Sequence, residues 1–291
     1  TAMTHRISAK LHFAGKDDFC QVNVHNLASG FPLHSHDYVE IVIILAGQAE
    51  HRINEKAYSV TSGDVYVLMG NQEHGFQNTT RDFRVCNVMF RPELFNFPLE
   101  KLKTMPGYQA LFLLEPERRK ESEFRGLLSL DSANLKEVLE KVRRLRHEME
   151  TREPGYDSAI QAYLLDIIVF LSRIYSSSSV NSTVGLLRFS EAIAWMEENY
   201  ARHSAIADLA KRAALSERHF LRMFRKTFKT SPLEHLISLR IRHACELLKS
   251  GKFNITEIAY ASGFNDSNYF SRQFRRMMGV SPRRFRKSSK Q

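Results

Sequence analysis

Two groups of residues in this 291-residue chain have the types and spacing to do chemistry. The first is His34-Ser35-His36, followed by Glu40 and, further on, His74. Imidazole nitrogens and a carboxylate can ligate a divalent transition metal or hydrogen-bond a polar small molecule. Side chains alternate along a strand, so His34 and His36 would point to one side of it. The second group lies near the C-terminus. Arg218, Leu221 and Arg222 fall on one face of an expected helix, and Asn268, Ser271 and Arg272 on one face of another. In the major groove of DNA, arginine can make two hydrogen bonds to guanine and asparagine two to adenine, each pair worth about 1–3 kcal/mol of discrimination.

The elements that must hold these groups follow from the hydrophobic pattern. In the first hundred residues, short apolar or alternating runs at 11–13, 19–24, 41–46, 48–53, 57–60, 65–69 and 84–90 are separated by turn residues, and His74 lies in a loop at 70–75. Such spacing predicts a small β-barrel or sandwich. Leu135, Val138, Leu139, Val142, Leu145 and Met149 then predict an amphipathic helix over 134–151, ended by Pro154-Gly155. A more apolar helix is expected over 157–175. No uninterrupted apolar run approaches the ~20 residues of a membrane span. The stretch 176–183, SSSSVNST, has no periodicity and reads as a flexible linker. The domains are therefore expected at 1–97 (β-rich), 98–175 (helical), 176–185 (linker) and 186–291 (all helical).

The last of these contains an internal repeat. Ile206, Leu209 and Ala210 correspond to Ile255, Ile258 and Ala259 at an offset of 49. Phe220, Arg222, Phe224, Arg225, Ser231 and Pro232 correspond to Phe270, Arg272, Phe274, Arg275, Ser281 and Pro282 at an offset of 50. Each copy reads as a short helix, a tight turn and a second helix with phenylalanines on one face and arginines on the other. That is a helix-turn-helix, present twice and joined by a long helix over 232–250. Held at a fixed separation, the two units would enter successive major grooves of one DNA face.

Charge supports a nucleic-acid partner. The chain has a net charge of +10; residues 184–291 carry 21 Lys+Arg against 9 Asp+Glu, and residues 1–183 carry 21 against 23. The basic excess sits in the repeat-bearing part alone, as a surface that meets phosphates requires. The three cysteines are far apart and unpaired in spacing, which reads as reduced thiols in a cytoplasmic protein.

The motifs Ile206-Ala-Asp-Leu-Ala, 216–228, Ile255 to Ala259, Gly263-Phe264, Tyr269-Phe270, Phe274 and Gly279-Val-Ser-Pro282 resemble the AraC/XylS family of bacterial transcription regulators. The N-terminal half resembles the cupin sensor domains that often precede this DNA-binding domain, with rhamnose-type regulators the most similar. The resemblance implies an α+β protein: a cupin-like β-barrel with two following helices, then the double helix-turn-helix. It implies a sequence-specific DNA-binding regulator, an activator, responding to a small molecule such as a sugar, acting as a homodimer through the helix 134–151 and contacting RNA polymerase. Arg218, Leu221, Arg222, Asn268, Ser271 and Arg272 match the family's base-facing positions. Asp266 reads first as a helix cap. Lys226, Arg240, Arg275, Arg276 and Arg283 are expected at phosphates. His34, His36, Glu40 and His74 match the ligand pattern of a metallo-cupin, suited to Zn, Ni, Fe or Mn. Two other readings of these four remain: polar groups lining an effector pocket, or a metal-dependent cupin enzyme fused to a DNA-binding module. A regulator without any ligand is a further alternative. His5, His12 and His25 lack partner spacing and are expected at the surface.

Overall fold

The computed structural model describes residues 5–7, 13, 18–70, 72–95, 99–119, 128–177, 181–202 and 205–288, excepting the side chains of residues 5, 99 and 181–183. The expected strand at 11–13 and His12 therefore fall almost wholly outside the described residues. The chain divides into two compact units, 1–187 and 188–291.

Unit 1 is a two-sheet sandwich followed by helices. Its strands are β1 (His5–Ile7), β2 (Cys20–Asn26), β3 (Phe31–His36), β4 (Val39–Ala46), β5 (Gln48–Ile53), β6 (Lys56–Thr61), β7 (Asp64–Leu68), β8 (His74–Gln77), β9 (Arg84–Phe90) and β10 (Leu128–Ser129). One sheet has the order β1-β3-β8-β5-β6 and the other β10-β7-β4-β9-β2. Val42, Ile44, Tyr66, Leu68 and Val85 from the second sheet share one buried core with Ala49, Ile53, Val60 and Phe76 from the first, so the sheets pack face to face. The barrel expected from sequence is not closed: no ladder joins the two sheets among the described residues, and each keeps its own edges. The continuous apolar run of β4 is explained by its central place, with Val39 to Ile44 buried on both faces.

Helical turns at α1 (Leu99–Leu102) and α2 (Pro106–Tyr108) lead through a π-helical segment, Gln109–Leu114, into α3 (Glu115–Arg119). The predicted long helices follow as α4 (Ser132–Thr151) and α5 (Tyr156–Ser177). Asp131 caps α4 by accepting the amide of Asn134 at 2.8 Å, and Val138, Val142 and Leu145 form its buried stripe. By length and composition α5 is apolar enough to cross a membrane, although polar residues interrupt its apolar run. Its stripe Ile160, Leu164, Ile167, Ile168, Leu171 and Tyr175 is buried within unit 1, as in a core helix.

Helices run into both ends of the stretch expected as a linker, whose residues 178–180 lie outside the described residues. Helix α5 reaches Ser177 and α6 (Asn181–Glu198) begins four residues later. Unit 2 contains the rest of α6, then α7 (Ile206–Arg212), α8 (Glu217–Phe228), α9 (Pro232–Ser250), α10 (Ile255–Ala261), α11 (Ser267–Met278) and α12 (Pro282–Ser288). The three cysteines are free, with Cys20 and Cys86 buried.

Candidate functional site

The repeat in unit 2 is a repeat in structure. Helices α7 and α10 have 7 residues each, and α8 and α11 have 12 each. Phe220 and Phe224 on α8, like Phe270 and Phe274 on α11, are fully buried. Those phenylalanines lie one helical turn apart, so the opposite face must meet solvent. Ser216 caps α8 by accepting the amide of His219, and Asp266 caps α11 by accepting that of Tyr269. Asp266 is thus a cap, as its position suggested. Both turns use a left-handed residue, Ala214 at φ 53° and Gly263 at φ 87°. The following amides bond back identically: Leu215 N–H to Ala210 O at 2.9 Å, and Phe264 N–H to Ala259 O at 3.0 Å. The copies stay in step through this hydrogen bond. The one extra residue of the second copy is Asn265, between Phe264 and the Asp266 cap.

Helix α9 joins the two copies. Ser231 and Glu234 cap it reciprocally, with Pro232 in the first turn. Contacts with Ser231 and Thr230 hold the Glu234 carboxyl down at about 2. Ile237, Ile241, Ala244 and Leu248 belong to the second copy's core. His235 meets the first copy through the edge of Phe224, ring centroids 5.5 Å apart, and accepts or donates to Glu197 at 2.9 Å. One rigid helix therefore enters both cores.

The base-facing candidates occupy matching places. Arg218 and Arg222 are exposed with Leu221 half-buried between them; Asn268 and Arg272 are exposed with Ser271 half-buried between them. Neither Arg222 nor Arg272 forms an ion pair among the described residues, and the Arg272 guanidinium stands 6.0 Å from the Tyr269 ring centroid. Of the phosphate candidates, Lys226, Arg275, Arg276 and Arg283 are exposed. Arg240, the remaining phosphate candidate, is half-buried. Its guanidinium donates to the carbonyls of Tyr200 at 2.8 Å and Arg202 at 3.2 Å and lies over Phe264, so it ties unit 2 together.

The second candidate lies inside the sandwich of unit 1. Chain passage from β3 to β4 crosses from one sheet to the other, so His36 and Glu40 come from opposing sheets. Glu40 Oε2 lies 3.3 Å from His36 Nε2 and 3.4 Å from His74 Nε2, all three groups buried. His36 Nδ1 is 2.9 Å from the carbonyl of Tyr38, an acceptor, so that nitrogen carries the proton and donates it. His74 is kept neutral: burial first, then the neighbouring imidazoles, push its pKa well below the usual range. The close approaches to Glu40 lack hydrogen-bond geometry, leaving both Nε2 atoms and Oε2 without partners. Buried polar atoms without partners are costly, and a cation shared by the three would satisfy them. The ligand atoms lie within 4.8 Å of one another, and this donor set fits Zn or another divalent transition metal. His34 does not join them. It pairs across the ladder with His74, ring centroids 4.1 Å apart, and its Nδ1 donates to Pro32 O at 3.0 Å.

A cavity of about 640 Å³ lies elsewhere in unit 1, lined by Leu33, Arg52, Asn54, Lys56, Gln72 and Arg119, with Glu55 and Glu73. None of the four residues of the histidine group lines it. Sequence reasoning missed Arg119, which is 1% exposed, and His51, which is fully buried with both ring nitrogens unpartnered. His51 was legible as an inward position of alternating β5. Arg119 follows a stretch without periodicity and carried no signal. Of the lone histidines, His25 is exposed, as expected.

Comparison with known proteins places this geometry. Residues 18–168 match the AraC-like ligand binding domain, and residues 209–288 match a helix-turn-helix domain. The HTH-type transcriptional activators RhaS of Salmonella arizonae and Salmonella typhimurium are each 30% identical over 263 residues, covering 89% of this chain and 88% of theirs. The DNA-binding domain of AdpA, solved in complex with a target DNA, is 33% identical, covering 35% of this chain and 91% of its own, with a TM-score of 0.34. The chain belongs to the AraC family of DNA-binding transcription regulators, with an AraC-like ligand-binding domain ahead of its double helix-turn-helix.

Proposed function

We propose that this protein is a cytoplasmic transcriptional activator, not an enzyme, that binds double-stranded DNA as a homodimer and responds to a sugar or sugar derivative held in unit 1. The observation that carries the DNA reading is the pair of exposed arginines, Arg222 and Arg272, at equivalent positions of two recognition helices built on matching cores. Activation is the role printed in the names of the RhaS relatives. The sugar reading rests on the polar groups buried in the sandwich without partners. Dimerisation is assigned to α4, and RNA polymerase is the partner through which an activator acts. The sugar raises the active population by binding that state more tightly than the inactive one. The test is fluorescence anisotropy on the full chain, using DNA selected from a random library, with and without common monosaccharides. A preference for selected over random DNA of at least about 1,000-fold is expected, increased by one sugar. Equal affinity for both DNAs would sink the reading.

A second reading concerns His36, Glu40 and His74, whose unpartnered ligand atoms favour a divalent metal. Bound there, a metal would supply Lewis acidity and a rigid link between the two sheets. His36 and His74 would each offer Nε2, with the Nδ1–H of His36 fixed by Tyr38 O. Elemental analysis of untagged protein should find about one equivalent of metal per chain, absent from His74→Ala, with a lower Tm on chelation. Metal-free protein that takes up no added zinc contradicts it.

A further inference from the structure

We propose that the effector carries an oxyanion, a carboxylate or a phosphate, and that Lys56 and Arg119 bind it in the cavity beside edge strand β6. This deepens the sugar-responsive reading and rests on it.

The cavity is lined by cations whose hydrogen-bonding capacity is not filled: Lys56 Nζ has no acceptor, and Arg119 is only partly satisfied. Lys56 lies two residues past the left-handed Asn54, opposite Ile53 in the β5–β6 ladder, and shares the inward face of β6 with Tyr58 and Val60. Its Nζ is out of contact with solvent and has no hydrogen-bond acceptor. Arg119 spends part of its guanidinium within the fold: Nη2 donates to Val67 O, and Nη1 lies 3.6 Å from Glu115. Its Nε and Nη1 still have no acceptor in hydrogen-bond geometry. Glu115 is a weak counter-charge. Burial, opposed by Arg119, raises its carboxyl to about 7, and it also accepts a hydrogen bond from Tyr175 at 2.6 Å. Arg52 adds a third cation to the lining. The two acids at the rim, Glu55 and Glu73, form no ion pair with any of these cations among the described residues.

Burying a charge whose hydrogen-bonding capacity is unfilled is strongly unfavourable. An oxyanion would supply the missing acceptors through charge-assisted hydrogen bonds, and the guanidinium fork suits a planar carboxylate or a phosphate. Neutral donors stand near the same cations. The hydroxyls of Tyr58 and Tyr66 are buried and unpartnered, and the Tyr66 ring lies 5.4 Å from the Arg119 guanidinium carbon and 4.7 Å from the His51 ring. Those tyrosines and His51 do not line the cavity itself, where Asn54 and Gln72 are the polar groups beside the cations; a sugar acid or sugar phosphate brings one acid group for the cations and hydroxyls for such neighbours. A volume of about 640 Å³ accommodates it.

The experiment uses the full chain and matched probes: D-galactose with D-galacturonate, D-glucose with D-gluconate and with glucose 6-phosphate, and inorganic phosphate alone. Thermal shift and calorimetry are read at constant ionic strength. An acidic member should raise the Tm and bind where its neutral partner does not, and the carboxylate and phosphate arms identify the anion. Lys56→Gln should weaken that binding about 10-fold or more while leaving the unliganded Tm no lower. Arg52→Gln, at the half-exposed rim, should weaken it less and serves as the second variant. Equal binding of neutral and acidic members, undiminished binding in both variants, or no binding of any acidic probe overturns the proposal. The sugar-responsive reading fails separately, if the neutral sugars and the acids alike leave DNA binding unchanged.

Discussion

Gly263→Ala will destabilise unit 2 by about 2–5 kcal/mol and abolish sequence-specific DNA binding. Two costs combine. At φ 87° an L side chain sits in the left-handed region, a penalty of about 1–2 kcal/mol. The added Cβ would also stand 2.6 Å from Ala201 Cα and 2.8 Å from Ala201 O, both backbone atoms that cannot swing aside. The turn between α10 and α11 must then open, and with it the core of Phe264, Phe270 and Phe274. A loss of this size is a large part of a domain's stability of about 5–15 kcal/mol. The first copy supplies the converse. Ala214 already occupies the same left-handed position at φ 53°, so Ala214→Gly should stabilise unit 2 by about 0.5–1 kcal/mol. Urea unfolding of both variants checks the pair; an unchanged midpoint for Gly263→Ala would remove the steric argument.

The second large effect separates base reading from phosphate contact. Arg222→Ala should weaken binding to the selected DNA by about 1–3 kcal/mol, roughly 5- to 150-fold, and change binding to random DNA far less. Arg283→Ala should weaken both alike and lower the slope of log affinity against log salt by about one. Arg222 and Arg283 are both exposed cations of unit 2, so net charge is altered equally by the two changes. Only their place on the fold differs. Arg222 lies in mid-α8 on the face opposite Phe220 and Phe224, and Arg283 lies in the first turn of α12. Equal losses on selected and random DNA for Arg222→Ala would show a phosphate contact instead.

The DNA-binding half was largely legible because its signals are local. Phenylalanines four residues apart define the buried face of α8 and α11, and cap residues define where each helix starts. Those features name the exposed face without any tertiary knowledge. Arg240 shows the limit. Its sequence context looks like that of any basic helix residue, yet two carbonyls from the turn after α6 converge on it. The sandwich was less legible, since strand pairing decides which alternating residues meet. His34 and His36 share one face of β3, but His34 faces His74 across the ladder while His36 reaches Glu40 on the other sheet. Of the four residues grouped on paper, only three bring candidate ligand atoms together in space. Arg119 is the extreme case, because its burial depends wholly on the sandwich above it.

Two helix-turn-helix units joined by the single helix α9 would act as a bipartite reader, each unit meeting different bases about one helical turn apart. Their groove faces differ, Arg218 and Leu221 against Asn268 and Ser271, so the half-site should be asymmetric. The most direct measurement is selection of preferred sequences from a random duplex library by the native protein, Arg222→Ala and Arg272→Ala. The native protein should select two unlike blocks with centres about 10–10.5 base pairs apart. Each variant should lose base preference in one block only, and a different one. Loss of the same block in both variants, or a single selected block for the native protein, would contradict the claim.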